Sequence, residues 1–137
     1  MTLPAGQVRV LVADDSATTR QMLQSAIEAL AEERGLEALV DTADSGLSAL
    51  RLLPGGRYDL ILTDINMPEV HGLELIRFVR QHPLQKDTPI LVVSTQGTAR
   101  DRDKALTLGA TGYVAKPVDL SLLREACLPL WPAAGAR

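Results

Sequence analysis

Cysteine is nearly absent from this chain: Cys127 is the only one, so no intrachain disulfide can form and nothing indicates an oxidising compartment. Histidine is scarce as well, and His71 has no second His or Cys spaced to share a transition metal with it. No apolar run approaches the roughly 20 residues of a membrane-spanning helix. Residues 1–7 lack a basic segment followed by an apolar stretch, so no secretory leader is read there, and cytoplasmic residence without a membrane partner is expected. An excess of positive charge is also missing. The chain has 14 Lys and Arg against 17 Asp and Glu, a net charge of -3, and its basic residues are scattered, which removes the electrostatic drive toward nucleic-acid phosphates.

What is present is an ordinary globular composition, 46% hydrophobic and 23% charged, well away from that of disordered segments. A length of 137 residues suits one domain, whose folding buries roughly two-thirds of the extended chain's surface. The expected organisation is a tail at 1–7, one domain at 8–131 and a small-residue tail at 132–137.

Residues 8–13 form a short apolar run ending in two acids, as a strand buried on both faces of a parallel sheet does. From Ser16 the period changes: Met22, Ala26 and Leu30 recur beside Leu23 and Ile27, predicting a helix to about Arg34 that Gly35 stops. Leu39-Val40 and neighbours offer a weak second strand. Asp44-Ser45-Gly46 can cap a short helix that Pro54-Gly55-Gly56 ends. Residues 58–63 are a strong third strand delivering Asp64, and Leu73, Ile76 and Val79 mark a third helix ending near His82-Pro83. Residues 89–93 read as a fourth strand ending at Ser94, then a polar helix from about Thr98 to Leu108, and a short fifth strand at 111–115. Asp119 can cap a last helix with Leu120, Leu123, Cys127 and Leu130 on one face. Strands alternating with helices imply a doubly wound α/β fold, a parallel sheet covered on both sides, whose ligand site lies beyond the carboxyl ends of the strands.

The residues at those ends are Asp14 and Asp15, Asp64, Ser94, and Lys116 followed by Pro117. Three carboxylates in one crevice repel by about 4 kcal/mol per pair at ~4 Å with an effective dielectric near 20, so a cation is expected. Oxygen-only ligands favour a hard ion, and Mg2+ binds through one or two carboxylates while keeping waters for a phosphate. Lys116 adds a fixed positive charge, and the Ser94 hydroxyl can donate to a phosphoryl oxygen.

The segments Leu-Val-Ala-Asp14-Asp15-Ser, Leu-Thr-Asp64-Ile-Asn66-Met-Pro68, Val-Ser94-Thr and Gly112-Tyr-Val-Ala-Lys116-Pro117 resemble the CheY-like receiver domains of bacterial two-component signalling, over about Val8 to Leu130. The resemblance implies a five-stranded sheet in the order 2-1-3-4-5 with five helices, an order for which this family serves as a standard example. It also implies that Asp64 accepts a phosphoryl group from a sensor histidine kinase or a phosphotransfer protein. Mg2+ would be held by Asp15, Asp64 and the Asn66 carbonyl, with Asp14 acting through a bound water. Lys116 would pair with the phosphoryl group, through a cis bond to Pro117. Ser94 would close on the phosphate as Tyr113 swings inward, signalling to a downstream protein target in chemotaxis, motility or a phosphorelay, without turnover of an external substrate. The surface of the fourth helix, fifth strand and last helix would change, with Arg100, Asp103 and Lys104 placed on it.

Some residues have plainer readings. Cys127 on an apolar helix face is a buried inert thiol, and Asp59 is structural. Val70-His71-Gly72 departs from the family, which commonly has an acid before the glycine that opens the third helix, and Gln96 occupies a place that tunes phosphate lifetime there. Two other functions compete: an interaction module that keeps the fold without phosphorylation, and a phosphohydrolase. The latter lacks a second acid at Asn66 and an insertion long enough for a cap domain.

Overall fold

The computed structural model describes residues 6–95 and 99–131; the expected tail at 132–137, Gln96, and the start of the fourth helix at Thr98 lie outside these. Strands β1 (Gln7–Ala13), β2 (Glu37–Ala43), β3 (Leu60–Thr63), β4 (Ile90–Ser94) and β5 (Gly112–Ala115) alternate with helices α1 (Ala17–Glu33), α2 (Gly46–Leu52), α3 (Gly72–Gln81), α4 (Ala99–Leu108) and α5 (Leu120–Cys127). All pairings are parallel and the sheet runs β2-β1-β3-β4-β5, as expected.

The two faces of the sheet bury two separate cores because successive side chains of a strand point to opposite sides. Val8, Val10 and Val12 pack with Leu23, Ile27, Leu123, Cys127 and Trp131 of the α1/α5 layer. Leu11 and Ala13 pack with Ala49, Leu75, Ile76, Val79 and Ala105 on the α2/α3/α4 side. The helices start where side-chain oxygens satisfy the first free N–H groups: Ser16 accepts from Thr19, Ser45 from Ser48, and Asp119 from Ser121 and Leu122. Gly35, at φ 68°, takes the left-handed conformation that lets the chain turn from α1 into β2.

The weak second strand around Leu39-Val40 is present and spans Glu37–Ala43, and its half-exposed pattern is that of an edge strand paired on one side. Two sequence expectations need correction. Tyr58 lies before β3; its buried ring carries the Arg9 guanidinium 4.4 Å from its centroid, and its hydroxyl donates to Asp41 at 2.7 Å. Leu120 does not share the buried face of the last helix but is 58% exposed, and the helix tightens into a 3-10 turn at Leu128–Leu130, where Pro129 has no N–H to continue the ladder. Asp59 is structural as read, accepting from the Arg9 N–H at 2.8 Å.

Candidate functional site

The hydrogen-bond ladder of the sheet continues one residue past the strands and so fixes where their terminal side chains emerge. Asp14 N–H donates to Ala43 O and Asp64 N–H to Ala13 O, both at 3.0 Å, which aligns the two aspartates at one edge. Lys116 N–H donates to Ser94 O at 2.9 Å, so the last residue of β4 and the first beyond β5 are likewise in step. Doubly wound folds bind their ligands at this carboxyl end.

The side chains converge accordingly. Carboxylate oxygens of Asp14, Asp15 and Asp64 lie within 4.8 Å of one another. Lys116 Nζ is 2.7 Å from Asp14 Oδ2 and 3.0 Å from Asp64 Oδ2, a bridge between two buried carboxylates, while Asp15 is exposed. The second oxygens are held as well: Asp14 Oδ1 accepts from Ser16 N–H at 2.9 Å, and Asp64 Oδ1 from Ile65 N–H at 2.6 Å. Burial pushes the Lys116 ammonium down, but its hydrogen bonds to Asp14 and Asp64 and the charges of both outweigh this and hold its pKa above the ordinary lysine value. Ser94 is fully buried, Asn66 is exposed, and Tyr113 is half-buried on β5 beside the α2/α3/α4 core. The Lys116-Pro117 bond is cis.

One ammonium against three carboxylates leaves two negative charges, and every donor is oxygen. That set suits a hard divalent ion such as Mg2+ and offers no soft ligand to a transition metal.

Sequence reasoning missed Arg20, and it named His71 and Gly72 without reading what they do here. Arg20 of α1 donates to the Asp14 carbonyl at 2.7 Å and fixes the turn presenting the acidic pair. Gly72 lies so close to the loop that a Cβ would come 2.0 Å from the Asp64 carbonyl oxygen, and its N–H donates to Ile65 O at 2.7 Å. His71 is the N-cap of α3, its Nδ1 accepting from Leu73 N–H at 3.3 Å. A glycine opening a helix is a visible signal, but the backbone approaching it is not. Arg100, Asp103 and Lys104 do not sit where expected: they line a groove between α4 and α3. Helical periodicity turns Arg102 and Leu106 toward the opposite flank.

The fold and pocket define a doubly wound α/β protein with an acidic, lysine-bridged cleft. The family model for the response regulator receiver domain matches residues 10–128, and the chain belongs to that family. It is 34% identical over 119 residues to a chemotaxis protein CheY homolog of Campylobacter jejuni, covering 86% of this chain and 88% of the relative. Chemotaxis protein CheY4 of Vibrio cholerae superposes with a TM-score of 0.79 at 32% identity, over 91% of this chain and 99% of that one. A receiver domain of a Pseudomonas aeruginosa sensor histidine kinase has the same fold, with a TM-score of 0.75 at 24% identity over 87% and 93% of the two chains; its structure holds a magnesium ion in the active-site cleft. Among the described residues, no helix is long and apolar enough to cross a membrane.

Proposed function

We propose that the unit spanning residues 8–131 is a single-domain response regulator of the cytoplasm. Asp64 accepts a phosphoryl group from the phosphohistidine of a sensor histidine kinase or phosphotransfer protein, and the change passes to a downstream protein target. The observation that carries this reading is the Lys116 bridge to Asp14 and Asp64, at 2.7 and 3.0 Å, which places a fixed cation beside the carboxylate meant to be phosphorylated.

In the reaction, a carboxylate oxygen of Asp64 attacks phosphorus while the phosphorus–nitrogen bond to the donor imidazole breaks, leaving an acyl phosphate and a neutral imidazole after protonation. The loose transition state asks little covalent chemistry of the protein, which serves by positioning and electrostatics. Ile65 N–H, 2.6 Å from Asp64 Oδ1, fixes the rotamer of the nucleophile. Lys116 faces the developing charge on the phosphoryl oxygens. Asp15, Asp64 and the Asn66 carbonyl would hold Mg2+, with Asp14 acting through a bound water, and the ion would neutralise charge on the carboxylates and the phosphoryl group. Ser94, at the end of β4, hydrogen-bonds the new phosphate in this reading, and its movement with that of Tyr113 supplies the two-state element that a partner reads. A change from 1:99 to 99:1 in such an equilibrium needs about 5.5 kcal/mol, the scale of one new charge-assisted network. Water later hydrolyses the acyl phosphate, so each cycle modifies the protein itself and turns over no external substrate. The names of the relatives favour chemotaxis as the pathway.

The test is to incubate the protein with Mg2+ and acetyl phosphate and weigh it. A gain of one phosphate mass on wild type, absent in Asp64→Asn, is expected. No gain on wild type would overturn the acceptor reading in favour of an unphosphorylated interaction module, and multiple turnovers of a phosphate ester would favour a hydrolase.

A further inference from the structure

A groove of about 720 Å³ runs between α3 and α4, on a flank of the molecule that the acceptor chemistry does not use. Its apolar lining includes Leu73 and Leu108, and a smaller hollow sharing Glu74 and Arg77 continues it to Phe78, which is 45% exposed. From Leu73 to Gln81 the track extends about 12 Å along α3, enough for two turns of a partner helix. The helix α4 is held lightly, since Ala105 alone of its residues is buried. Such a channel between two helices offers no sheet edge to an extended peptide, and its shape suits a helix laid into a groove.

Charge selects among the helices that could fit. Arg77, Arg100 and Lys104 line the groove against Glu74 and Asp103, so it is net basic on a protein of net charge -3. None of the three cations has an ion-pair partner among the described residues. We infer that this groove is a docking site for an acidic amphipathic helix of a partner protein, its apolar side chains seated between Leu73 and Leu108 and its carboxylates meeting Arg77, Arg100 and Lys104.

The groove also adjoins the phosphoryl site. Leu73 follows Gly72, which packs against the Asp64 carbonyl and donates to Ile65 O, so α3 cannot shift at its start without disturbing the loop that carries Asp64. A partner helix that displaced the start of α3 on docking would by linkage alter the phosphorylation equilibrium, and phosphorylation would alter docking in turn. This coupling rests on the acceptor reading of Asp64; the docking does not.

Docking is tested without Mg2+ or a phosphodonor, so its failure leaves the acceptor reading untouched. The 15N-labelled protein is titrated with a synthetic helical peptide carrying Leu at a spacing of three and four residues and Glu on its flanks, and with the same peptide carrying Lys in place of Glu. The acidic peptide alone should shift the amides of Leu73, Arg77, Lys104 and Leu108. Its affinity should fall with added salt and by about tenfold in the R100E/K104E variant, in which two exposed attractions become repulsions. Equal binding of both peptides, shifts confined to the α1/α5 face, unchanged affinity in the variant, or no binding at low salt would each overturn the proposal. So would concentration-dependent shifts of these amides without peptide, which would assign the groove to a second copy of the chain.

Discussion

Lys116 Nζ lies 3.0 Å from Asp64 Oδ2 although the strands that deliver the two residues, β5 and β3, are separated in the sheet by β4. The long lysine side chain spans that intervening strand, and Asp14 Oδ2, 2.7 Å away, is the second end of the bridge. A cation so placed offsets the repulsion between two buried carboxylates and, on the reading that Asp64 accepts a phosphoryl group, would face the charge that develops there.

Removing it should therefore show in stability and in chemistry together. In Lys116→Met the Asp14 and Asp64 carboxylates face each other with no protein cation between them. Breaking a buried pair from one side costs about 3–5 kcal/mol, and the residual exposure of Lys116 places the expected loss at the lower end, about 3 kcal/mol by urea denaturation without Mg2+. Added Mg2+ should recover part of that loss, because a divalent ion neutralises the same carboxylates. Phosphorylation by acetyl phosphate should slow by about 100-fold or more, a scale typical of deleting one electrostatic stabiliser. Wild-type phosphorylation kinetics in this variant would sink the role assigned to the ammonium.

Two glycines that a methyl group would crowd against unlike neighbours make a second test. A Cβ on Gly72 would meet the Asp64 carbonyl oxygen at 2.0 Å, whereas a Cβ on Gly112 would meet the Leu91 Cδ2 methyl at 2.8 Å. Backbone packed beside the Asp64 loop cannot swing aside, but a leucine methyl can. Gly72→Ala should thus cost about 2–3 kcal/mol and slow phosphorylation, while Gly112→Ala should cost about 1 kcal/mol or less and leave the rate alone. Equal stabilities for the two variants would show that α3 is free to slide relative to Asp64.

How much of this could be read from the chain alone depends on whether a signal is local. Asp14, Asp64 and Ser94 each end a continuous apolar run, and a buried parallel strand has no other way to look, so the strand ends and their functional groups were legible. The full extent of β2 was not, because an edge strand is half exposed and its alternation is diluted by Asp41 and Thr42. Leu120 matched the spacing of the last helix yet is exposed, since periodicity gives an angle around the axis but not where the neighbouring layer stops. The polar α4 gave no sign of which side faced α3, and Arg100 and Lys104 were accordingly assigned to the wrong flank. The close approach behind Gly72 and the Arg20 hydrogen bond to the Asp14 carbonyl depend on residues distant in the fold or on backbone atoms, which a sequence pattern does not name.

His71 stands where an acid is common in the family, and its geometry accounts for it: Nδ1 accepts the Leu73 N–H at 3.3 Å and caps α3. His71→Ala should lower stability by about 0.5–2 kcal/mol through loss of the cap, and His71→Asp should restore it, since a carboxylate both caps and complements the helix N-terminus. Urea denaturation measures both. The Mg2+ dependence of phosphorylation should stay within about twofold in either variant; a large loss of Mg2+ affinity in His71→Ala would make this residue a metal ligand and not a cap.

Cys127 makes the alkaline limit of stability a readout of the α1/α5 core. Burial pushes its thiol from an ordinary 9.0 up to about 12, so between these values the folded chain keeps a proton that the unfolded chain has released. Stability from this group is complete below pH 9 and is lost as pH rises toward 12, with a limiting slope of about 1.4 kcal/mol per pH unit. Tyr58, pushed up chiefly by burial and then by its hydrogen bond to Asp41, and Lys116 act in the same direction, but only from their ordinary values of 10.0 and 10.5 upward. Cys127→Ala should consequently delay the onset of alkaline destabilisation from near pH 9 to near pH 10, against a pH-independent cost of about 1 kcal/mol for the lost packing. Urea midpoints measured from pH 8 upward separate the two effects, because the packing cost displaces the whole curve and the thiol changes where it bends. An onset at the same pH in both proteins, or rapid labelling of native Cys127 by a disulfide reagent at pH 8, would mean that the thiol is not sealed inside this core.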